Sequence, residues 1–387
     1  MGKKDERSLR RMQGDIEHRL DHATQKARKE AGKLRRGFNK EKGRERGGAV
    51  TEENWEELLD RFGRTRKRSK LTQIIAQLEP QSAADHPAGD FDPSSAAIVM
   101  SVTGAECRVF RDGAEIDCNV PPHIAMRRGS ALAVGDRVIV NGDTVGAVLP
   151  RQSVLARPDP INKHLQRMIA ANIDVVVHVV SVKSPPLRPR LIDRYLIAIQ
   201  RGGAQPVICV NKIDLLTDGE REEELAKLAP YRDLEVPVIA VSTKSGEGLD
   251  ALRPEVEGKM AALVGHSGVG KSSILNALDE RLQIATGGLH RRGTGRHTTS
   301  RATLYDFGAR TYLIDTPGIR EFGLWDLDRE SLRDYFPELL QPSEWCRFTN
   351  CTHVHEPDCE VKRRVDSGDL NPARYETYVR LYESLAM

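Results

Sequence analysis

The segment GHSGVGKS at residues 265–272 follows the apolar run MAALV at 260–264 and precedes the helix-compatible stretch SILNAL at 273–278. It fits the pattern G-x-x-x-x-G-K-[ST], in which glycines let backbone N–H groups turn inward to phosphate oxygens. The helix that follows adds the positive end of its dipole. Lys271 can reach the β- and γ-phosphates, and the Ser272 hydroxyl can bind Mg²⁺. The predicted phosphate contacts come from Gly265, His266, Ser267, Gly268, Val269, Gly270, Lys271, Ser272 and Ser273.

A second segment, NKID at residues 211–214, predicts which base the nucleotide carries. The Asp214 carboxylate can accept hydrogen bonds from guanine N1–H and from the 2-amino group, whereas adenine lacks that amino group. A buried polar partner rejects the wrong ligand strongly. The Lys212 stem can lie against the base, and Asn211 is expected to connect this segment to the phosphate loop. The predicted guanine site comprises Asn211, Lys212, Ile213, Asp214 and the STK element Ser242, Thr243 and Lys244, which offers a backbone N–H to guanine O6.

Two further segments, DTPG at 315–318 and GRHTT at 295–299, predict the elements that sense the γ-phosphate. Asp315 would hold Mg²⁺ through water, and the Gly318 N–H would contact the γ-phosphate. Either Thr298 or Thr299 would give a hydroxyl to Mg²⁺, and spacing does not choose between them. The predicted magnesium set is therefore Ser272, Asp315 and one of these two threonines.

The motifs occur in a rotated order. NKID and STK precede the phosphate loop, whereas ordinary GTPases carry the phosphate loop first. Strands and helices alternate from 160 to 322: strands are expected at 173–182, 206–210, 236–241 and 260–264, and helices at 190–200 and 274–282. This pattern predicts a circularly permuted P-loop GTPase domain with a doubly wound, mostly parallel sheet. Rotation is tolerable because the termini of a domain often lie close together.

Five short β-type runs precede this domain, between residues 96 and 156. They alternate with turn signals such as Asp112-Gly113 and Asn141-Gly142, a pattern that predicts a small β-barrel of the OB type. An SH3-like barrel is the alternative. OB barrels commonly bind single-stranded nucleic acid, although the fold alone does not establish that function.

Cysteine and histidine cluster near the other end of the chain, in the pattern C-x4-C-x-H-x5-C. Three thiolates and one imidazole make a closed tetrahedral Zn²⁺ set, which is typical of a structural site. The predicted ligands are Cys346, Cys351, His353 and Cys359, with His355 as the alternative histidine. The other cysteines, Cys107, Cys118 and Cys209, lie on β-type runs and are expected to be ordinary buried residues.

Composition limits the classes that remain. Of 387 residues, 39% are hydrophobic and no run of 18 apolar residues occurs, which argues against a transmembrane helix. The charged start argues against a signal peptide, so we expect a cytoplasmic protein. Residues 1–70 hold 22 Lys and Arg against 13 Asp and Glu. A tail of this charge suits nucleic-acid phosphates or a solvated segment. Residues 52–62 (EENWEELLDRF) predict a short amphipathic helix.

The order NKID–STK–GHSGVGKS–GRHTT–DTPG, with a barrel before it and a Cys/His cluster after it, resembles the small-ribosomal-subunit-dependent GTPase A family. The resemblance covers about residues 95–385. It implies a multidomain α/β protein with an OB-type barrel, a permuted GTPase domain and a small C-terminal zinc-binding helical domain. It also implies GTP hydrolysis in late assembly of the small ribosomal subunit, stimulation by that subunit and binding to its rRNA near the decoding region.

These expectations give a division of the chain and a set of partners. The predicted regions are a basic extension and linker at 1–92, partly helical or disordered, the barrel at 93–157, the GTPase domain at 158–323 and the zinc-binding domain at 324–387. The cofactors are one structural Zn²⁺ and Mg²⁺ with GTP. The partners are GTP, GDP, the small subunit and its rRNA, without a membrane, and a monomer is expected.

The catalytic group is the least determined part of the sequence. Many GTPases place a water-orienting glutamine after DTPG, but this chain has Ile319 there. Our hypothesis is that His297 orients the water, together with Thr298 or Thr299 and Gly318, and Arg296 is an alternative source of transition-state stabilisation. The alternative function is a GTP-gated RNA-binding assembly factor with negligible hydrolysis.

Overall fold

The computed structural model describes residues 95–125, 131–158, 166–282, 284, 302–316 and 327–385. Several expectations lie outside these residues. They are the basic segment 1–92 with its amphipathic stretch at 52–62, and the candidate catalytic residues Arg296, His297, Thr298, Thr299, Gly318 and Ile319. No helix among the described residues is both long enough and apolar enough to cross a membrane.

The first described unit is a closed five-stranded barrel with the order β1-β2-β3-β5-β4. Its strands are β1 (Ala97–Thr103), β2 (Glu106–Arg111), β3 (Ala114–Asn119), β4 (Arg137–Asn141) and β5 (Thr144–Val148). Strand β3 meets β5 in parallel, and the other neighbours are antiparallel. Alternate side chains fill the barrel, among them Val99, Val109 and Val138. The period-2 pattern therefore gave the correct strands, and the OB-type barrel is confirmed.

The central unit is a six-stranded sheet with the order β10-β9-β8-β11-β13-β12. Its strands are β8 (Val175–Ser181), β9 (Gln205–Asn211), β10 (Val238–Ala240), β11 (Met260–Val264), β12 (Thr303–Asp306) and β13 (Tyr312–Asp315). All pairs are parallel except β12 with β13. The phosphate-loop strand β11 is central, although three strands of its sheet precede it in sequence. The fold class is thus confirmed, permutation included.

One short helix, α1, packs on the barrel, and the other helices cover the sheet or build the C-terminal unit. They are α1 (Pro122–Ala125), α2 (Pro189–Arg201), α3 (Asp218–Ala226), α4 (Ala229–Asp233), α5 (Leu249–Val256), α6 (Lys271–Leu278), α7 (Leu340–Ser343), α8 (Glu360–Asp366) and α9 (Pro372–Ser384). The expected helix 190–200 agrees with α2. The expected helix 274–282 was too long at its end, because the chain leaves helical geometry at Asp279 and Ile284 folds back to pair with the Asn276 side chain.

A hairpin that the sequence did not suggest joins the barrel to the sheet. Its strands are β6 (Val154–Pro158) and β7 (Gln166–Ala171). The Ala171 N–H donates to the Val134 carbonyl, and the Asn172 side chain donates to the Gly135 carbonyl. Asp136 is fully buried and accepts two hydrogen bonds of 2.7 Å from Arg151. Barrel and sheet also share one apolar core, so the two units are continuous.

The C-terminal unit packs around its own small core on α2. Phe336 and Tyr378 are buried there in an edge-to-face contact, and Ile197 of α2 joins the same core. Asn371 caps the start of helix α9, because its side chain accepts hydrogen bonds from the N–H groups of Ala373 and Arg374. This cap and Pro372 at the first helical position explain why the helix starts at this point of the chain.

Candidate functional site

The phosphate loop connects β11 to α6. Two of its positions, Gly265 and Gly270, have no room for a side chain. A Cβ on Gly265 would lie 2.1 Å from the Val179 carbonyl oxygen of the neighbouring strand. A Cβ on Gly270 would lie 2.2 Å from the Asn211 side-chain nitrogen. Gly265, Gly268 and Gly270 all have positive φ angles, of 142°, 85° and 101°. The loop is therefore built from backbone that lies close to two neighbouring strands, and its N–H groups are left for a ligand.

Lys271 is the buried cation of this loop. Its side-chain nitrogen donates to the Gly265 carbonyl at 2.8 Å and to the His266 carbonyl at 3.3 Å. Burial lowers its pKa against the attraction of Asp315. Burial likewise raises the pKa of the Asp315 carboxyl, against the effects of Lys271 and Ser272. The charge of each side chain is thus only partly compensated by its surroundings. A phosphate group beside Lys271 and a cation beside Asp315 would supply the missing opposite charges.

Ser272 and Asp315 meet at the carboxyl end of the sheet, where α6 begins and β13 ends. The Ser272 hydroxyl donates to an Asp315 carboxylate oxygen at 3.3 Å. Neighbouring oxygen ligands of an octahedral Mg²⁺ lie about 3 Å apart. Thr316, the next residue, donates to the Leu263 carbonyl at 2.6 Å and so fixes the end of β13 beside the phosphate loop. The pair therefore fits a magnesium ion, either directly or through water.

The guanine segment is tied to the phosphate loop. Asn211, at the end of β9, donates to the Val269 carbonyl at 2.9 Å and accepts from the Lys212 N–H. Lys212 has a left-handed backbone, and its ammonium donates to the carbonyls of Gly268 and Ser184 at 2.6 Å each. The Ser184 contact was not foreseen, because nothing in the sequence marks a backbone carbonyl 28 residues away.

Asp214 is oriented by the third element of the site. The Ser242 hydroxyl donates to an Asp214 carboxylate oxygen at 2.7 Å and accepts from the N–H groups of Lys244 and Ser245. Ser242 itself is fully buried. The second carboxylate oxygen of Asp214 is thus left for a base. Ser242 also brings the backbone of Lys244 close to Asp214. The structure therefore brings together the segments 211–214, 242–244 and 265–273 at one edge of the sheet.

Two members of the predicted set turn their side chains away from this edge. Ile213 and Val269 are 2% exposed and pack in the apolar cores on the two sides of the sheet. Contacts from these two residues to a nucleotide are therefore limited to their backbone. His266 and Ser267 lie at the outer turn of the loop, where the His266 ring contacts the Ser267 carbonyl at 3.4 Å.

The second candidate site is the cluster of Cys346, Cys351, His353 and Cys359. Their ligand atoms all lie within 4.8 Å of one another. The Cys346 and Cys359 sulfurs are 3.9 Å apart, and each lies 3.6 Å or less from His353 Nδ1. A tetrahedral Zn²⁺ with usual bond lengths separates its ligand atoms by about 3.6–3.8 Å. The cluster can therefore hold a metal ion, and its dimensions and three thiols fit zinc.

His353 rather than His355 belongs to this cluster. The His353 ring is buried, and its Nε2 contacts the Ser343 hydroxyl at 2.9 Å while Nδ1 faces the sulfurs. Burial lowers the pKa of His353 to about 4, so the imidazole is neutral, as a metal ligand must be. His355 is exposed. Ser343 orients the ring, and the sequence offered no signal for this role, since a serine ten residues away belongs to no motif.

Comparison with known proteins agrees with this arrangement. The family model described as RsgA GTPase matches residues 148–325. A "Small ribosomal subunit biogenesis GTPase RsgA" from Chlorobaculum parvum is 39% identical over 306 residues, covering 74% of this chain and 97% of that protein. One of the same name from Gemmatimonas aurantiaca is 37% identical over 303 residues, covering 76% and 98%. The chain belongs to the RsgA GTPase family.

Two solved structures share this fold. YjeQ from Thermotoga maritima is 30% identical, with a TM-score of 0.61 over 75% of this chain and 98% of that one. YloQ, described as a circularly permuted GTPase, is 26% identical, with a TM-score of 0.58 over 78% and 98%. The expected family is confirmed, and the chain is a GTP hydrolase with the permuted order seen in its sheet.

Replacing Asp214 with asparagine tests base selection in this RsgA-type site. An amide oxygen can still accept from N1–H, but its NH₂ group faces the guanine 2-amino group and can pair instead with the 2-oxygen of xanthine. We expect GTP affinity to fall by at least 100-fold and xanthosine triphosphate to bind better than GTP. Equilibrium titration with fluorescent analogues of both nucleotides measures this. Unchanged preference for guanine would show that Asp214 does not read the base.

Replacing Cys351 with serine tests the metal cluster. A serine hydroxyl is a poor zinc ligand, so the variant would have only three good ligands: Cys346, His353 and Cys359. We expect loss of one bound zinc per chain by elemental analysis and faster amide exchange in α8 and α9. GTP binding should persist, because the cluster is separate from the phosphate loop. Cys209→Ser, in a buried strand of the sheet, is the control and should keep its zinc.

Proposed function

We propose that this GTPase acts in late assembly of the small ribosomal subunit, hydrolysing GTP to GDP and phosphate with stimulation by that subunit. Support for the GTP part comes from the guanine segment, phosphate loop and Asp315 meeting at one sheet edge. Support for the ribosomal part comes from relatives that carry the name small ribosomal subunit biogenesis GTPase. The predicted nucleotide and metal ligands given above are the residues we assign to these roles, with Zn²⁺ structural and Mg²⁺ bound with GTP.

In this proposal, different residues bind the base, the phosphates and the magnesium ion. Asp214, held by Ser242, accepts from the guanine edge, and Lys212 covers the base from a position fixed by two carbonyls. Lys271 exchanges its two carbonyl contacts for phosphate oxygens, and the N–H groups of the loop cradle the phosphates. Ser272 and Asp315 would hold a magnesium ion, which would neutralise negative charge on the phosphates. All these groups orient the γ-phosphate for attack by water.

For the attack itself we keep His297 as the group that orients the water. The Ile319 side chain that follows DTPG has no hydrogen-bonding atom, so the role falls to another element. Thr298 or Thr299 would complete the magnesium shell, and the Gly318 N–H would contact the γ-phosphate. Contact of the subunit with this segment would raise turnover if it places the attacking water correctly.

Contact with rRNA is proposed for the barrel, the zinc-binding domain and the basic residues of 1–92. The barrel type commonly binds single strands, and the net charge of residues 1–70 suits phosphates. The proposed domains remain 93–157, 158–323 and 324–387; the hairpin of β6 and β7 spans the first of these boundaries. We further propose a cytoplasmic monomer that has no membrane partner.

The experiment that tests this function is phosphate release from GTP by the full chain, alone, with small subunits and with large subunits. We expect strong stimulation by small subunits only, and loss of most of that stimulation in His297→Ala at unchanged GTP affinity. Stimulation that survives in His297→Ala but fails in Arg296→Ala would transfer the role to arginine.

Absence of stimulation by either subunit would contradict the proposed function. If the protein then still bound small subunits more tightly with GTP than with GDP, the GTP-gated RNA-binding factor would be the correct description. A steep loss of subunit binding between 50 and 200 mM salt is expected for contacts to rRNA phosphates.

A further inference from the structure

The segment 345–350, which begins one residue before Cys346 and ends before Cys351, exposes two aromatic rings. Trp345 is 70% exposed and Phe348 is 39% exposed, and Leu340 at the start of α7 is 41% exposed. In the part of the chain that the structure describes, the one other large apolar side chain of comparable exposure is Leu215. Three of these four exposed apolar side chains thus lie in one nine-residue segment, 340–348, inside the proposed zinc-binding domain. Such a concentration marks this surface as a contact site.

The backbone beneath these rings is fixed. The N–H groups of Trp345 and Cys346 donate to the carbonyls of Pro342 and Ser343, and the Cys351 N–H donates to the Phe348 carbonyl. Cys346 and Cys351 belong to the metal cluster, and the Ser343 hydroxyl contacts His353. The rings are therefore presented on a preorganised loop, so that a ligand would lose little affinity to ordering of the protein.

A cation accompanies the rings. The Arg347 guanidinium lies 5.6 Å from the centre of the Phe348 ring, and its side chain is 67% exposed in an ion pair with the equally exposed Asp358. An exposed pair of this kind contributes little free energy, so Arg347 can exchange Asp358 for a phosphate at small cost. Phe348 and Arg347 thus form a flat surface with a positive charge beside it.

The surroundings favour nucleobases over a protein partner. A stable protein interface buries about 800 Å² on each side around an apolar centre, but the residues that flank the two rings are exposed and polar: Glu344, Thr349 and Asn350. A nucleobase needs only one ring face, and polar groups beside the ring can pair with its edges. Nearby Arg363 and Arg364 are held by Glu360, so stacking rather than dense positive charge is what this surface offers.

We propose that Trp345 and Phe348, with Arg347, form a stacking platform for unpaired bases of RNA. The proposal deepens the proposed function, on which it rests for the identity of the RNA. Because stacking is insensitive to salt, the platform adds affinity without adding much to the salt dependence. Each base stacked on an aromatic ring is worth roughly a factor of ten in affinity.

The test measures binding of the full chain to a 12-nucleotide oligoadenylate, to oligouridylate of the same length and to a 12-base-pair RNA duplex. We expect Trp345→Leu and Phe348→Leu each to bind the single strands about tenfold more weakly, with unchanged salt slope. Trp345→Phe should retain most of the affinity because it keeps a ring, whereas Arg347→Gln should reduce the slope by about one. Leu215→Ala is the control for an exposed apolar residue elsewhere and should bind like wild type.

Equal affinity of Trp345→Leu, Trp345→Phe and wild type for both single strands would overturn the platform. Weaker binding to small subunits without any change toward the oligonucleotides would also overturn it, and would identify a protein contact. Equal zinc content among the variants shows that the loop is intact. Failure of subunit-stimulated hydrolysis with the oligonucleotide effects present would instead count against the proposed function and leave the platform standing.

Discussion

Lys271→Met is expected to lose the stabilisation that GTP gives the protein while the nucleotide-free variant unfolds within a few degrees of wild type. At a GTP concentration 100-fold above its dissociation constant, ligand binding adds about 2.7 kcal/mol to the free energy of unfolding. In the proposed site the Lys271 ammonium would give charged hydrogen bonds to phosphate that are worth about 3 kcal/mol together. Their loss weakens binding by roughly 100-fold, and the stabilisation falls to about 0.4 kcal/mol at the same concentration.

The nucleotide-free protein responds differently because the ammonium is buried. Burial lowers the pKa of Lys271 in spite of Asp315, so its removal relieves a cost of desolvation. That relief offsets the lost contacts to Gly265 and His266 and the lost attraction to Asp315, which keeps its hydrogen bond from Ser272. Thermal unfolding with and without Mg²⁺ and GTP measures both quantities. Lys259→Met is the control, since Lys259 donates to the Glu255 carbonyl away from the site and should keep the full GTP effect. A GTP-induced shift in Lys271→Met equal to that of the control would contradict the role of Lys271.

The parts of this fold that the sequence predicted are those with local causes. The barrel strands could be predicted because their alternate residues are apolar and turn residues separate the strands. The predicted bounds of β11 agree with the structure because the first glycine of the phosphate loop follows its last residue. Even the rotated order was legible, since each motif is a short contiguous segment. The geometry that unites them, such as the contact of Asn211 with the Val269 carbonyl 58 residues away, follows from the parallel sheet.

Other elements escaped prediction for physical reasons. Helix α3 has no buried residue, so apolar periodicity could not reveal it. Its one local signal is the capping box of Thr217 and Glu220. The short edge strand β12 depends on its antiparallel pairing with β13, and the hairpin of β6 and β7 depends on the barrel against which it packs. The choice of His353 over His355 also required the fold, because both histidines have plausible ligand spacing.

The ion pair that anchors α9 to α2 was likewise beyond the sequence, because its partners lie 181 residues apart. Arg374 is 6% exposed and donates to Asp193 at 2.7 Å, and it also pairs with Glu338. Its guanidinium lies over the rings of Phe336 and Tyr231, at 4.8 and 5.6 Å from their centres. Burial raises the pKa of Asp193 even with Arg374 present, so this carboxylate depends on its partner.

Arg374→Met is therefore expected to lower the free energy of unfolding by about 3–5 kcal/mol, because it leaves Asp193 buried and without a cation. Arg380→Met on the same helix is the matched control. Arg380 forms an exposed pair with Glu376, and its loss should cost about 0.5 kcal/mol or less. Urea unfolding measures the difference. Addition of Asp193→Asn to Arg374→Met should recover part of the loss, since it removes the uncompensated charge.

The same substitution reveals how the C-terminal unit is held on the GTPase domain. If Arg374 anchors α9, amide exchange in Arg374→Met should accelerate at the facing surfaces of α2 and α9 and remain unchanged in the barrel. Asp193, the partner of Arg374, lies on α2. The Tyr231 ring lies beside Arg374, and its hydroxyl donates to the Pro189 carbonyl at the start of α2. The loop before α2 carries Ser184, whose carbonyl holds Lys212. This chain of contacts connects the guanine segment to the C-terminal unit. Stability and exchange in Arg374→Met that match Arg380→Met would show that apolar packing around Ile197 and Phe336 alone holds α9 in place.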